Sequence, residues 1–387
     1  MYSLAIPAPD QAPGKTKSLS DIRAALRSMT HADEEKCIDN LLSSSGLTQS
    51  TRQRIVTNSR DLVNRSRQMS DAQGTMDHFL QEFGLSNREG VALMCLAEAL
   101  LRVPDGLTAD KLIAEKIASG DWAEHKGKSE SMFVNASTWG LMMTGGVVKL
   151  GRDVTDNFTG WMKRLVTKSG EPVIRKAVMQ AMRIMGGQYV LGRTIEEAAK
   201  RGRKENRPDT RFSFDMLGEG ARTLADAEQY FVAYSEAIEK IGAANDKDTV
   251  AAAHGISVKF SALHPRYEFA QHDTVMQVMY PKIHRLALAA KQRGLGFTID
   301  AEEADRLDIS LDIFEQLARS PELVNWDGLG IVVQAYQKRA PYVLDWLIAL
   351  GTELKRKFMV RLVKGAYWDS EIKHAQEMGL PDYPVYT

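Results

Sequence analysis

The sequence predicts an α/β protein: a helical N-terminal region, residues 19–200, followed by an incomplete (β/α)8 TIM-type barrel, residues 211–387. Three observations predict it. From Ser20 to about Lys200 apolar residues recur at three- and four-residue spacing, the period of helices buried on one face, and no run reads as a strand. Beyond Pro208, short β-rich apolar runs alternate with amphipathic stretches, the pattern of a parallel sheet with helical crossovers. Almost every one of those runs ends in a polar residue (Lys259, Asp300, Gln334, Arg361), spaced by about one strand plus one helix. A parallel barrel gathers such side chains at one mouth. No run leads into a glycine-rich dinucleotide loop, which favours the barrel over an open doubly wound sheet.

Taken in order, residues 1–18 are rich in Pro, Ala, Gly, Gln and Lys without periodicity and read as a disordered leader. Ser20-Asp-Ile-Arg reads as a capped helix start. Asp77-His-Phe-Leu-Gln-Glu-Phe and Val91-Ala-Leu-Met-Cys-Leu-Ala-Glu-Ala-Leu-Leu continue the helical pattern. Ser131–Val148 is the longest charge-free stretch, but its glycines, Asn135 and hydroxyls make it a buried helix and not a membrane span. Arg201-Gly-Arg-Lys-Glu-Asn-Arg-Pro208 reads as a solvated linker, residues 201–210, because Glu205 interrupts its basic character.

The strand runs then follow: Phe212-Ser-Phe-Asp-Met-Leu-Gly, Ile256-Ser-Val-Lys-Phe-Ser-Ala-Leu, Gly296-Phe-Thr-Ile-Asp, Leu329-Gly-Ile-Val-Val-Gln-Ala-Tyr, Phe358-Met-Val-Arg-Leu-Val and Pro384-Val-Tyr-Thr. Thr223 to Ile241, Val275 to Gln292 and Leu311 to Ala318 read as crossover helices. An eight-fold barrel takes about 250 residues. Arg211–Thr387 holds five βα units and the start of a sixth strand, so a fragment of a longer protein is expected, cut at about the sixth strand.

Composition narrows the function classes. Lys+Arg 50 balances Asp+Glu 50, without the basic excess of a chain built around nucleic acid or an anionic membrane. Cys37 and Cys95 are too few for a disulfide framework or a thiolate metal site, and the eight histidines lack paired ligand spacing, so no metal is expected. Met1–Gln11 has neither the basic nor the apolar region of a secretory signal, and a cytoplasmic location is expected. Lys126-Gly-Lys-Ser129 fails as a phosphate loop because Trp122 stands where the first glycine belongs. Leu141-Met142-Met143 reads as core packing.

Four strand-end residues carry chemistry. Lys259 lies on an otherwise apolar strand and needs a partner, because an unpaired buried ammonium is costly; it reads as a lysine at a solvated strand end or as a cation aimed at an anionic substrate group. Asp300 reads as a cap for the following helix or as the partner of Lys259 across the mouth. Gln334 offers both a donor and an acceptor, suited to the pyrimidine edge of a flavin or to a satisfied core amide. Arg361 within Val360-Arg-Leu-Val must be paired or functional. The turn after it, Lys364-Gly-Ala-Tyr-Trp-Asp, leads into a helix whose amides, with Lys364, suit a pyrophosphate, and Tyr367 and Trp368 offer stacking faces for an adenine. Together these features describe a barrel flavoenzyme.

Ser213-Phe-Asp-Met-Leu-Gly-Glu219, Val258-Lys-Phe-Ser-Ala-Leu-His-Pro-Arg-Tyr267, Ile299-Asp-Ala-Glu-Glu-Ala-Asp-Arg-Leu307, Val333-Gln-Ala-Tyr-Gln-Lys-Arg339 and Val360-Arg-Leu-Val-Lys-Gly-Ala-Tyr-Trp-Asp369 closely resemble, in order and spacing, the proline dehydrogenase module of the proline utilization A flavoproteins. The helical region resembles the arm and α-domain that precede the barrel there. The resemblance implies FAD-dependent oxidation of L-proline to Δ1-pyrroline-5-carboxylate, the first step of proline catabolism to glutamate. It implies a quinone acceptor, peripheral contact with the inner membrane face and a homo-oligomer. It places Arg361 by the flavin N5 and Gln334 by its pyrimidine ring. Asp300, Ala301, Val332, Val363, Lys364, Gly365, Ala366, Tyr367, Trp368 and Thr387 are then the other cofactor contacts. Lys259 binds the proline carboxylate with Asp300 beside it, and Glu219 is half of an ionic gate. The family's carboxylate-binding arginine pair and the gate partner are expected beyond Thr387.

Some family members begin with a ribbon–helix–helix repressor domain. The first 20 residues here show none, so no DNA binding is expected. The long helical N-terminus is typical of bifunctional chains that continue into an aldehyde dehydrogenase. Two rival readings stay open: a non-catalytic helical interaction or dimerisation protein with a degenerate barrel, and a flavin oxidoreductase for another amine.

Overall fold

In the computed structural model the described residues are 18–71, 190–192, 194–205, 210–216, 218 and 220–387. The readings of the leader, of residues 77–101, of Lys126–Ser129, of Ser131–Val148 with its Met pair, of Cys95, of Pro208 and of Glu219 lie outside them. The chain folds as two units, one formed by residues up to Gly46 with Gly202–Thr387, the other by Leu47–Arg201. Among the described residues of the second unit are α3 (Gln49–Asp71) and most of α4 (Ile195–Glu205). Thr194 Oγ1 accepts the Glu197 N–H at the start of α4. Helix α4 runs on through Arg201-Gly-Arg-Lys-Glu205, where the sequence suggests a linker. Arg, Lys and Glu are strong helix formers, and buried Gly202 lies so near the Phe212 ring that an added Cβ would stand 3.1 Å from it.

The first unit opens with α1 (Leu19–Ser28) and α2 (Glu34–Ser44). The cap of α1 is Ser18, two residues before the serine that the sequence suggests. Its hydroxyl accepts the Asp21 N–H at 3.2 Å while the Asp21 carboxylate accepts the Ser18 N–H at 3.1 Å, a reciprocal capping box. The remaining elements alternate: β1 (Ser213–Asp215), α5 (Leu224–Ala243), β2 (Gly255–Val258), α6 (His272–Gln292), β3 (Gly296–Ile299), α7 (Leu307–Arg319), β4 (Leu329–Gln334), α8 (Ala340–Leu354), β5 (Met359–Val363) and α9 (Trp368–Glu377). Thr223 caps α5 with Asp226 in a second capping box. Helices α6 and α7 start three and four residues earlier than their apolar patterns suggest, because each is led in by a 3-10 turn.

The five strands form one all-parallel sheet in sequence order, β1-β2-β3-β4-β5. Phe214, Ile256, Phe297 and Leu329 share one row across β1 to β4, and Gly330 pairs with Met359 of β5. Because side chains alternate along a strand, one face carries Phe214, Ile256, Val258, Phe297, Ile299, Leu329 and Ile331, most of them fully buried under the helices. Trp346 of α8, Phe314 of α7 and Phe358 continue this core, with ring centroids 6.4 and 5.0 Å apart. Helix α1 joins it through Arg23, whose guanidinium lies 5.3 Å over the Trp346 ring and pairs with Asp312 at 2.5 Å.

The expected sixth strand does not extend the sheet. Val385 instead forms an isolated antiparallel bridge with Gln337 in the β4–α8 loop. Pro384 has no N–H for a ladder, while its carbonyl accepts the Lys338 N–H and the Tyr386 N–H bonds the Tyr336 carbonyl.

Ile299 is fully buried at the centre of the sheet. Ile299→Ala is expected to lower stability by about 2–5 kcal/mol, read as a lower urea midpoint with an unchanged slope.

Candidate active site

The opposite face of the sheet, at the C-terminal ends of the strands, is polar. Asp215 ends β1, Lys259 follows β2, Asp300 follows β3, and Val332 of β4 pairs with Arg361 of β5. The Lys259 ammonium sits between two carboxylates: Asp215 at 3.1 and 3.0 Å and Asp300 at 3.1 Å. The other Asp300 oxygen accepts from Arg361 Nη2, whose Nη1 donates to Ser257 Oγ at 3.3 Å. Ser257 and Ser213 join their hydroxyls at 2.9 Å. Charges therefore alternate from β1 to β5 in a continuous array. Arg361 thus reaches across β4 to Asp300.

Burial sets the electrostatics. It disfavours the Lys259 ammonium, but the charge of Asp300, the hydrogen bond to Asp215 and the charge of Asp215 outweigh it and hold Lys259 above the ordinary amine range. Burial also pushes the Asp300 carboxyl above its ordinary value, against the opposing pull of Lys259 and Arg361. The Lys259 backbone is held as well, its N–H donating to the hydroxyl of fully buried Tyr234 at 3.3 Å.

The other sequence-derived residues fall into two groups. Ala301 begins the β3–α7 loop beside Asp300, a segment braced by two buried carboxylates. Glu302 accepts the Ser261 N–H at 3.0 Å and a bond from Arg306 at 3.1 Å, and Glu371 accepts the Ala304 N–H at 2.6 Å. Val363, Lys364, Gly365, Ala366, Tyr367 and Trp368 form the turn from β5 into α9. Gly365 has φ +132°, and a Cβ there would stand 2.4 Å from the Tyr336 ring, so this turn requires glycine.

Gln334 spans the two groups. Its Nε2 donates to the Glu302 carbonyl at 2.8 Å and its Oε1 accepts the Ala366 N–H at 3.2 Å. The Tyr367 N–H goes to the Tyr336 hydroxyl at 3.3 Å. Two of the amides that suit a pyrophosphate are thus engaged within the chain, while Lys364 and Trp368 stay exposed. Thr387 lies apart from the array, with its N–H and hydroxyl on the Glu34 carboxylate. Asp215, Ser257 and the bracing Glu302 and Glu371 escaped the sequence reading. Asp215 carries the same signal as the other strand-end residues, a polar side chain closing a β run.

Residues 198–387 match the family model for proline dehydrogenase, and residues 20–67 match that for the proline utilization A proline dehydrogenase N-terminal domain. The chain belongs to the proline utilization A family. Its proline dehydrogenase domain is preceded by residues 75–189, which match a model described as the DNA-binding domain of proline dehydrogenase. The expectation of no DNA binding rested on the first 20 residues and did not weigh this segment.

Among relatives, the bifunctional protein PutA of Escherichia coli is 50% identical over 94% of this chain and 28% of its own length. That of Rhizobium meliloti is 45% identical over 99% and 31%. Proline dehydrogenase 1 of Bacillus subtilis is 28% identical over 49% of this chain and 54% of its own length. A crystal structure of a mutant of Bradyrhizobium japonicum proline utilization A has a TM-score of 0.64 and 45% identity, covering 92% of this chain and 35% of that one. The chain thus spans about three tenths of the curated PutA relatives it matches.

Because burial raises the Asp300 carboxyl, its protonated form contributes stability that is fully present below the unfolded-state value, roughly 4, and lost as pH rises through the folded one. Asp300→Asn keeps a neutral side chain at every pH. In urea unfolding from pH 4 to 7 the variant is expected to lose that component of the pH dependence.

Proposed function

We propose that this chain carries the proline dehydrogenase site of an FAD-dependent enzyme that removes two electrons and two protons from L-proline, leaving Δ1-pyrroline-5-carboxylate. The observation that carries the reading is the array of Asp215, Lys259, Asp300 and Arg361 at the ends of adjacent parallel strands. The single sheet in sequence order is consistent with part of a (β/α)8 barrel whose mouth this would be. FAD, when bound, supplies the two-electron acceptor.

The donor set fits that group. Arg361 is 42% exposed and directs two of its five N–H groups at Asp300 and Ser257, keeping others for the ring. Gln334 retains one N–H and one lone pair beyond its bonds to Glu302 and Ala366. Lys364 is an exposed cation for phosphate, and Trp368 presents a half-exposed stacking face. Ala301, Val332, Val363 and Gly365 would line the remainder, with Thr387 at its far end.

Lys259 receives the substrate carboxylate. Its ammonium stays charged because Asp215 and Asp300 hold it, and a fixed cation loses less on desolvation than one that must be ordered on binding. Asp300 keeps Lys259 and Arg361 at a set separation, which orients substrate against cofactor. Glu219 would act as half of a gate over the substrate. A quinone at the membrane face would accept the electrons. No described helix is long and apolar enough to cross a membrane, so such contact would be peripheral. A degenerate barrel serving only as an interaction module would gain nothing from burying Lys259 and Asp300 within an array of alternating charges.

The deciding experiment is an anaerobic visible spectrum of the protein from its complete reading frame, before and after L-proline. Flavin bands that bleach with L-proline and not with D-proline are expected. Bound flavin that L-proline leaves unbleached overturns the substrate, and a folded protein without flavin overturns the cofactor.

A further inference from the structure

Lys338 is 1% exposed, and its ammonium is buried completely. Its one close bond is to the Ala32 carbonyl in the α1–α2 turn, at 2.7 Å. Two carboxylates from distant parts of the sequence complete its surroundings, Glu34 at 3.9 Å and Asp382 at 3.6 Å. A buried ammonium is tolerated only where opposite charge and acceptors replace water. Here no one segment supplies them. The N-terminal turn and the segment after α9 must both be docked on the β4–α8 loop for Lys338 to be satisfied.

The same loop meets the turn 364–368 and the segment that leads to Thr387, both assigned above to the cofactor. The Tyr336 N–H donates to the Lys364 carbonyl at 2.9 Å, its hydroxyl accepts the Tyr367 N–H, and its ring packs on Gly365. The Tyr336 carbonyl accepts the Tyr386 N–H at 2.9 Å, and the Lys338 N–H donates to the Pro384 carbonyl at 3.1 Å. Glu34, one of the two carboxylates near Lys338, also accepts the N–H and hydroxyl of Thr387 at 3.0 and 2.9 Å. Next to Lys338, Arg339 donates to the Ala304 carbonyl, to Asp308 at 3.1 Å and to Thr30 Oγ1 at 3.4 Å.

We propose that Lys338, with Glu34, is a positioning residue: a buried clasp by which the N-terminal turn 30–34 holds segments 364–368 and 382–387 in the arrangement that receives the cofactor. The inference rests on the cofactor reading for its consequence but not for its geometry. The clasp lets the N-terminal turn, which contributes no residue to the charged array, set the affinity of a site on the sheet.

Two readouts on the protein from its complete reading frame test it, amide exchange without ligand and titration of flavin-stripped protein with FAD followed by visible circular dichroism. In Lys338→Met, exchange in peptides covering 364–368 and 382–387 is expected to quicken by about tenfold or more while the amides of Phe297 and Asp300 keep their protection. FAD affinity is expected to fall about tenfold, with an altered circular dichroism of the bound flavin. Glu34→Gln, which leaves Lys338 its bond to Ala32, should move the same peptides in the same direction by a smaller factor. Unchanged exchange at 364–368 in Lys338→Met overturns the proposal. So does a loss of protection that extends over β2 to β4 in both variants, which would make the pair a general fold contact. If the parent protein takes up no FAD, the cofactor reading fails and the exchange comparison alone decides the clasp.

Discussion

The Asp300 carboxylate is shared between two cations, and the rest of the site follows from that sharing. A carboxylate buried this deeply is costly unless its lone pairs are filled. Lys259 on one side and Arg361 on the other fill them. Each cation is in turn tied further out, Lys259 to Asp215 and Arg361 to Ser257. Removing any member leaves its neighbour underpaired, so four strands are coupled through their polar ends as well as through their backbone ladders.

Register makes the sharing geometrically available. All-parallel pairing in sequence order puts every strand end on the same edge of the sheet, and alternation of side chains leaves one face for the apolar core and the other for the charged array. Across β1 to β4 the apolar face is buried, and that burial fixes the face on which Lys259 and Asp300 lie. A slip of one residue in any strand would turn its charged side chain into the core. The core and the site therefore specify the same register.

Much of this was legible in the sequence, and most of the exceptions have physical causes. The β-branched runs and their polar ends located β2 to β5 closely, together with Lys259, Asp300, Gln334 and Arg361. The run that forms β1 was also recognised, but Asp215 at its end was passed over although it carries the same polar strand-end signal. Pro384-Val-Tyr-Thr has strand composition, but composition does not say which partner takes its backbone groups, and the β4–α8 loop does. Gln334 offers a free donor and acceptor on paper, yet the chain itself uses part of each. Lys338 sits in Gln337-Lys-Arg, which by polarity resembles a solvated loop. Only long-range contacts with residues 32, 34 and 382 bury it. Family membership was legible in the five quoted segments.

The central claim is that Lys259, fixed by Asp215 and Asp300, is the cation for the substrate carboxylate. Its most direct test is equilibrium binding of a five-membered-ring carboxylate that cannot be oxidised, compared between the parent protein and Lys259→Met at equal flavin content. The account predicts a dissociation constant raised by about tenfold or more in the variant, the loss expected when a carboxylate is deprived of a fixed charged partner. An unchanged dissociation constant, in a variant that still folds and holds flavin, would contradict it.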